Sequence, residues 1–157
     1  VILEDPVPVF NMESFEDVLE EAKPLLDRHW ELIALRKDKI KLAPDFEKYR
    51  ELDRAGSLKI ATIRVEGRLV GYWVAFLSHH PHYKNDLMAL TDIFFLLPEY
   101  RSGLLGYRFL EYVEQEMKNL GVVQIMAGTK LHYDLSRLFE RLGWTATDMM
   151  YAKYIGD

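Results

Sequence analysis

From Leu96 to Leu110 the chain reads Leu-Leu-Pro-Glu-Tyr-Arg-Ser-Gly-Leu-Leu-Gly-Tyr-Arg-Phe-Leu. An apolar, aromatic run from Ile93 to Leu97 precedes the loop. After it, Leu110, Val113, Met117 and Leu120 recur on one helical face, so the segment joins a strand to a helix. A helix start offers unpaired backbone N–H groups and the positive end of the peptide dipole. Gly103 and Gly106 remove side chains that would hold an anion away, and Arg101 adds a permanent charge. The segment therefore predicts a phosphate-binding turn; a tight strand-to-helix turn without a ligand is the plainer alternative.

The flanking pattern predicts one domain over residues 1–157. Ser14 is placed to cap a helix starting near Phe15, with Glu16 and Asp17 in its first turn and Phe15, Val18, Leu19, Ala22, Leu25 and Leu26 at helical spacing. Pro24 lacks a backbone donor and predicts a kink or break before a second stretch carrying Trp30, Leu32 and Ile33. Asp45 to Ala55 reads as a short helix stopped by Gly56. Leu58 to Val65 and Leu69 to Leu77 flank Glu66-Gly67 as a hairpin, and Leu87 to Leu97 reads as a third strand. A strand (Val122 to Ala127), a helix (Leu135 to Leu142) and a final strand (Thr145 to Tyr154) follow. Both faces of the strands look apolar, as expected where helices cover a sheet on each side.

Composition narrows the chemistry. The chain has no cysteine, which excludes disulfides and a cysteine acyl-enzyme. Its net charge of −5 argues against non-specific nucleic-acid binding. The longest apolar run, Leu69 to Leu77, is less than half a membrane span, and no cationic start leads into a long apolar stretch. A cytoplasmic location without membrane insertion is expected. His79, His80 and His82 form an H-H-x-H cluster with no carboxylate or cysteine completing a metal-ligand spacing, so no metal site is expected.

Proline, an acidic residue, tyrosine, arginine and then a glycine five residues on resembles motif A of the GNAT acyltransferase superfamily, R/Q-x-x-G-x-G/A. In that family the motif cradles the pyrophosphate of coenzyme A. Leu104 stands where the first motif glycine usually sits, with Gly103 beside it. A second stretch, Leu138-Phe139-Glu140-Arg141-Leu142-Gly143-Trp144, is similar to the family's C-terminal pattern N-x-x-A-x-x-L-Y-x-x-x-G-F. The predicted order ααβββαβαβ matches the family along nearly the whole chain. Trp30-Glu31, the region from His79 to Tyr83, Thr91-Asp92 and Thr129 to His132 look like a subgroup common in bacteriophage genomes, which would place the protein in a host cytoplasm.

The resemblance implies an α/β three-layer sandwich: a mixed central sheet with splayed parallel strands and helices on both faces. It implies acetyl-CoA as co-substrate. The pantetheine arm would lie against the backbone of Phe95, Leu96 and Leu97, and the pyrophosphate on Arg101, Ser102, Gly103, Leu104, Leu105, Gly106 and Tyr107. Arg108 reads equally well as a phosphate ligand or a solvated charge. The acceptor is a primary amine of a small molecule or a protein, and a homodimer is left open. A catalytically weak coenzyme A-binding module acting through protein partners is the alternative function.

Direct transfer to an amine meets a protonation problem. An alkylammonium of pKa about 10.4 is neutral about once in 2,500 molecules at pH 7, a penalty of roughly 4.6 kcal/mol. Asp92 matches the family's acidic base or water anchor, although an ordinary aspartate is a weak base unless burial among Phe94 and Phe95 raises it or a water relays the proton. His132 is the second candidate base. Where the family often uses a tyrosine to protonate the leaving thiolate, this chain has Phe139, so Tyr133, Ser136, Tyr151 or water must serve. Trp30, Glu31 and Tyr83 are the expected acceptor-side residues, with Glu31 placed to hold a cationic amine.

Overall fold

In the computed structural model, which describes residues 4–157, five strands form one sheet in the order β1-β2-β3-β4-β5. The elements are β1 (Val9–Glu13), α1 (Phe15–Ile33), α2 (Phe46–Arg54), β2 (Leu58–Val65), β3 (Arg68–His79), β4 (Leu87–Leu96), α3 (Leu105–Asn119), β5 (Val122–Met126) and α4 (Ser136–Arg141). Pro98–Tyr100 forms one 3-10 turn between β4 and α3. The first four strands are antiparallel in sequence order, and β5 runs parallel to β4. Residues next to each other on a strand point to opposite faces. Phe95 stacks on His29 of α1, while its neighbour Phe94 stacks on Phe109 of α3. Helices α1 and α3 therefore cover opposite faces of the sheet, which is the expected three-layer arrangement.

Local chemistry accounts for most boundaries. Ser14 Oγ accepts from the Asp17 N–H at 3.3 Å, and Asp45 Oδ1 accepts from Lys48 N–H at 3.0 Å, so both helices start at side-chain caps. The β2–β3 hairpin turns at Glu66 (φ 51°) and Gly67 (φ 80°), two successive left-handed residues that suit the twist of the strands they join. Arg64 ties this end together: its guanidinium reaches Glu13 at 2.9 Å, Glu21 at 2.8 Å and the Gly67 carbonyl at 2.9 Å.

Three expectations change. Helix α1 runs unbroken from Phe15 to Ile33 through Pro24. Pro24 is exposed, so the carbonyl one turn earlier that loses its partner can be hydrated, and packing of Val18, Leu19 and His29 holds both halves on the sheet. Strand β1 was not anticipated; it is five residues long and partly exposed, and it gains its place by pairing with β2 and by Phe10 packing on Phe109 and Tyr112. The final strand, Thr145 to Tyr154, does not form. Alternation supplies only propensity, and a strand also needs a paired neighbour; Met149, Met150 and Tyr151 stand 74%, 93% and 88% exposed instead.

Gly71 fixes how closely β3 approaches β4. A Cβ there would lie 2.8 Å from the Phe95 carbonyl oxygen and 3.1 Å from Ile63 Cδ1. Gly71→Ala is expected to lower stability by about 2 kcal/mol through this overpacking, measured by urea unfolding; an unchanged midpoint would show that the strands separate freely.

Candidate active site

Strands β4 and β5 pair only from Leu87↔Val122 to Leu90↔Met126. Beyond Leu90, β4 continues to Leu96 with no strand paired on its β5 side among the described residues. A parallel pair that separates in this way leaves a wedge between the strands, with one bare backbone edge along it.

Which backbone groups line that edge follows from the ladder. The Leu97 N–H donates to Val70 O at 2.9 Å, and the Phe95 carbonyl lies against Gly71, so both residues turn their polar groups toward β3. Alternation then leaves Phe94 and Leu96 facing the wedge. Of the expected Phe95, Leu96 and Leu97, the backbone of Phe95 and Leu97 is committed to β3, and only Leu96, with Phe94 two residues before it, faces the wedge.

Arg101 already uses this edge. Its Nε donates to Leu96 O at 2.7 Å, and its guanidinium carbon lies 5.3 Å from the Phe95 ring centre and 5.1 Å from that of Tyr133. One cation thus spans the wedge from β4 to the segment after β5. Its side chain turns back toward the strand rather than out over the glycine loop. At the wedge's end, α3 begins at Leu104 with no side-chain cap and no acidic residue in its first turn. Gly103 takes φ +79° there with no heavy atom within 4 Å of where a Cβ would be. The uncapped N–H groups of residues 103–107 and the bare glycine give an anion-accepting turn.

The ladder between β3 and β4 holds a bulge: Val74 pairs with Ile93, but Ala75 pairs with Thr91. Asp92 is the residue left over. Two contacts show the effect on the faces. Trp73 Nε1 donates to Thr91 Oγ1 at 3.1 Å on the α3 side, while the Tyr49 hydroxyl of α2 donates to Asp92 Oδ2 at 2.6 Å on the opposite side. The extra residue shifts the alternation, so Asp92 and Ile93 both face α1 and α2. Asp92 is exposed rather than buried among Phe94 and Phe95, since the bulge lifts it out of the ladder and away from the Phe94 face. Burial, then the hydrogen bond to Asp92, pushes the Tyr49 phenol above its usual range, so Tyr49 stays a donor at neutral pH.

Beside the wedge lies a second polar group, one that sequence reading did not place in the site. His29 is 5% exposed, stacks on Phe95 at 4.7 Å and lies 3.3 Å from the Tyr72 hydroxyl through Nδ1. Burial, with the Arg101 charge adding to it, lowers its imidazole to about 4. His29 is therefore neutral at pH 7 and acts as a packed, hydrogen-bonded wall.

Other expected residues scatter. Tyr133 lies at the wedge under Arg101, but His132 is exposed and, among the described residues, forms no hydrogen bond with Asp92, whose partner is Tyr49. Tyr107 stands in the first turn of α3 under Arg141, 5.6 Å from its ring centre. Glu31 is engaged by Lys37 Nζ at 3.1 Å in an exposed pair, and the same ammonium covers the Trp30 ring at 5.6 Å. Tyr83 is exposed and packs on His80 and His82. Among the described residues, no three histidines or carboxylates gather as a metal site, and no helix is long and apolar enough to cross a membrane. Phe139 stacks on Trp144 at 5.0 Å and offers no proton.

A mixed sheet whose parallel strands part beside an uncapped helix start defines the class of acyltransferase-like α/β folds. Residues 15–144 match the model of the acetyltransferase (GNAT) family, and the chain belongs to that family. A search of curated proteins finds no match. Among solved structures it is similar to an aminoglycoside acetyltransferase from an uncultured soil metagenomic sample in complex with sisomicin, at TM-score 0.72 and 13% identity over 95% of each chain. It is also similar to a ribosomal-protein-alanine N-acetyltransferase from Brucella melitensis biovar Abortus 2308, at TM-score 0.70 and 15% identity, covering 96% of this chain and 100% of that one. A third is a predicted acetyltransferase with acetyl-CoA from Clostridium acetobutylicum, at TM-score 0.71 and 10% identity, covering 94% and 96%.

Burial of neutral His29 makes stability pH-dependent with a definite sign. The unfolded chain takes up this proton below about 6.5, whereas the folded chain refuses it until about 4. Stability contributed here is complete above pH 6.5 and falls by roughly 3 kcal/mol as pH drops toward 4. Urea unfolding of the wild type and His29→Gln between pH 7.5 and 4.5 measures it; equal pH slopes would remove His29 from the account.

Proposed function

We propose that this chain transfers the acetyl group of acetyl-CoA to a primary amine by direct attack, without an acyl-enzyme. The observation that carries the reading is the wedge itself: a bare β4 edge that leads to an uncapped, glycine-bordered helix start. The outward backbone groups of Phe94 and Leu96 pair with the pantetheine amides as an added strand would. Arg101 releases Leu96 O in this step and turns to the diphosphate, which Gly103, Leu104, Leu105, Gly106 and Tyr107 hold through backbone N–H groups, with Ser102 and Arg101 at the rim. Bound acetyl-CoA supplies the thioester.

Asp92, at the bulge, receives the proton of the attacking ammonium directly or through a water, and Tyr49 holds its carboxylate in one orientation. Tyr133, on the far wall, gives a proton to the departing sulfur, since Phe139 has none to give. His132 remains a second base that reaches the site only if its loop turns inward. The finer placement, in the subgroup common in bacteriophage genomes and in a host cytoplasm, rests on the short matches at Trp30-Glu31, His79 to Tyr83, Thr91-Asp92 and Thr129 to His132 alone. Whether the amine sits on a protein, and whether two chains associate, belongs to the same proposal.

Two outcomes test this reading. Gly103→Val is expected to weaken acetyl-CoA binding at least about tenfold by calorimetry, whereas Gly121→Val, strained alike at φ +85° but in the α3–β5 turn, leaves affinity unchanged. Equal affinities in all three proteins would refute the loop assignment. Asp92→Asn is expected to reduce kcat by roughly a hundredfold, and Tyr49→Phe by about fivefold, both with KM for acetyl-CoA unchanged. A rate for Asp92→Asn equal to wild type would take Asp92 out of the chemistry.

A further inference from the structure

The connection between α1 and α2, residues 34–45, carries Arg36, Lys37, Lys39 and Lys41 against two carboxylates, Asp38 and Asp45, on a chain whose net charge is −5. Its position is set at both ends. It leaves α1 shortly after His29, which packs on Phe95 of β4, and enters α2 one turn before Tyr49, which bonds Asp92 at the bulge. The segment is thus anchored on one side at Asp92, the reacting end of the wedge, and on the other at Phe95, further along β4. The far end belongs to the helix start and its glycine.

Nearby carboxylates are already paired. Glu31 pairs with Lys37, Glu47 with Arg50, Asp45 caps the Lys48 N–H, and Asp92 accepts from Tyr49. By contrast Arg36, Lys39 and Lys41 are exposed, and among the described residues none of them pairs with a carboxylate. Lys41 Nζ caps the Lys37 carbonyl, and Lys39 lies 5.1 Å from the ring centre of Tyr154, which brings the C-terminal segment over the same loop. The only unpaired acid within the segment is Asp38.

We infer that the acceptor is an amine whose carrier is anionic, bearing a carboxylate or a phosphate that Arg36, Lys39 and Lys41 receive while the amine lies at Asp92. Charge makes the choice selective in both directions. Three exposed cations on one loop attract a carboxylate or phosphate and raise its local concentration, and they repel a polycation before its amine reaches the thioester. A polycationic aminoglycoside, of the kind bound by one structural relative, is therefore a poor acceptor here even though the fold is shared. The inference rests on the proposed transfer reaction.

Acetyl transfer is measured with glucosamine and its phosphate ester, with free-amine peptides of equal length rich in acidic or in basic residues, and with sisomicin. The phosphate ester and the acidic peptide are expected to exceed their neutral or basic counterparts in kcat/KM at least about tenfold at low salt, with the ratio shrinking as salt is raised. Preference for the ester alone would assign a phosphate, and preference for the acidic peptide alone a carboxylate-bearing chain. In the combined variant Arg36→Glu, Lys39→Glu, Lys41→Glu the preference is expected to vanish or invert, with acetyl-CoA affinity retained as the check on folding; Gln at the same positions gives a milder version. Transfer without charge preference, or with sisomicin as the best acceptor, overturns this inference and leaves the reaction standing. Acetyl-CoA binding with no transfer to any amine overturns both.

Discussion

Between the pairs Val74–Ile93 and Ala75–Thr91, the ladder of β3 and β4 carries one residue too many, and much of the candidate site follows from that excess. A bulge adds local twist and bends the strand that holds it. Pairing of β5 with β4 ends at Leu90, two residues before the bulge, where the direction of β4 begins to change and a straight parallel neighbour cannot follow. The same residue reverses the alternation of side chains. It puts Asp92 on the helix α2 face and leaves Thr91 with Trp73 on the other. The parting of β4 from β5 and the carboxylate at its closed end therefore have one cause.

Around this opening the wall is built from polar groups that burial holds in one charge state. His29 is kept neutral between Phe95 and Tyr72, and burial pushes both the Tyr72 and Tyr49 phenols above their usual range. None of these groups titrates near pH 7, so the packing behind β4 keeps one charge state across the neutral range. Arg101 bridges the two walls through Leu96 O and Tyr133, and a phosphate is a stronger partner for its guanidinium than that neutral carbonyl.

Local chemistry made the helices and the hairpin readable. Ser14, Asp45 and Glu66-Gly67 act through neighbours a few residues away, so their effects are written in adjacent sequence. Asp92 was identifiable as a residue type at the right strand, but its face was not: alternation alone puts it with Phe94, and only the register with β3 reveals the extra residue. Tyr49 was unreadable because its bond to Asp92 spans 43 residues and depends on how α2 docks. Strand β1 and the absent final strand are opposite cases of one rule. Five half-exposed residues form a strand because β2 offers an edge, and a better-patterned segment does not because nothing pairs with it.

The departure at Leu104 has a backbone answer. A turn into α3 needs one residue with positive φ, and Gly103 supplies it at +79°, while Leu104 sits at the helix boundary with an ordinary φ of −107°. The glycine requirement is met one position early, so Leu104 is free to carry a side chain, which is 44% exposed. What leucine cannot do at that boundary is cap. A serine or aspartate there would stabilise the helix start by about 1 kcal/mol, yet it would do so by occupying the N–H groups that a diphosphate needs. An aspartate would also put a negative charge where the ligand's own charge must sit. An apolar residue at this N-cap therefore keeps the helix start open to an anion, and the small loss of helix stability is offset whenever the anion is bound.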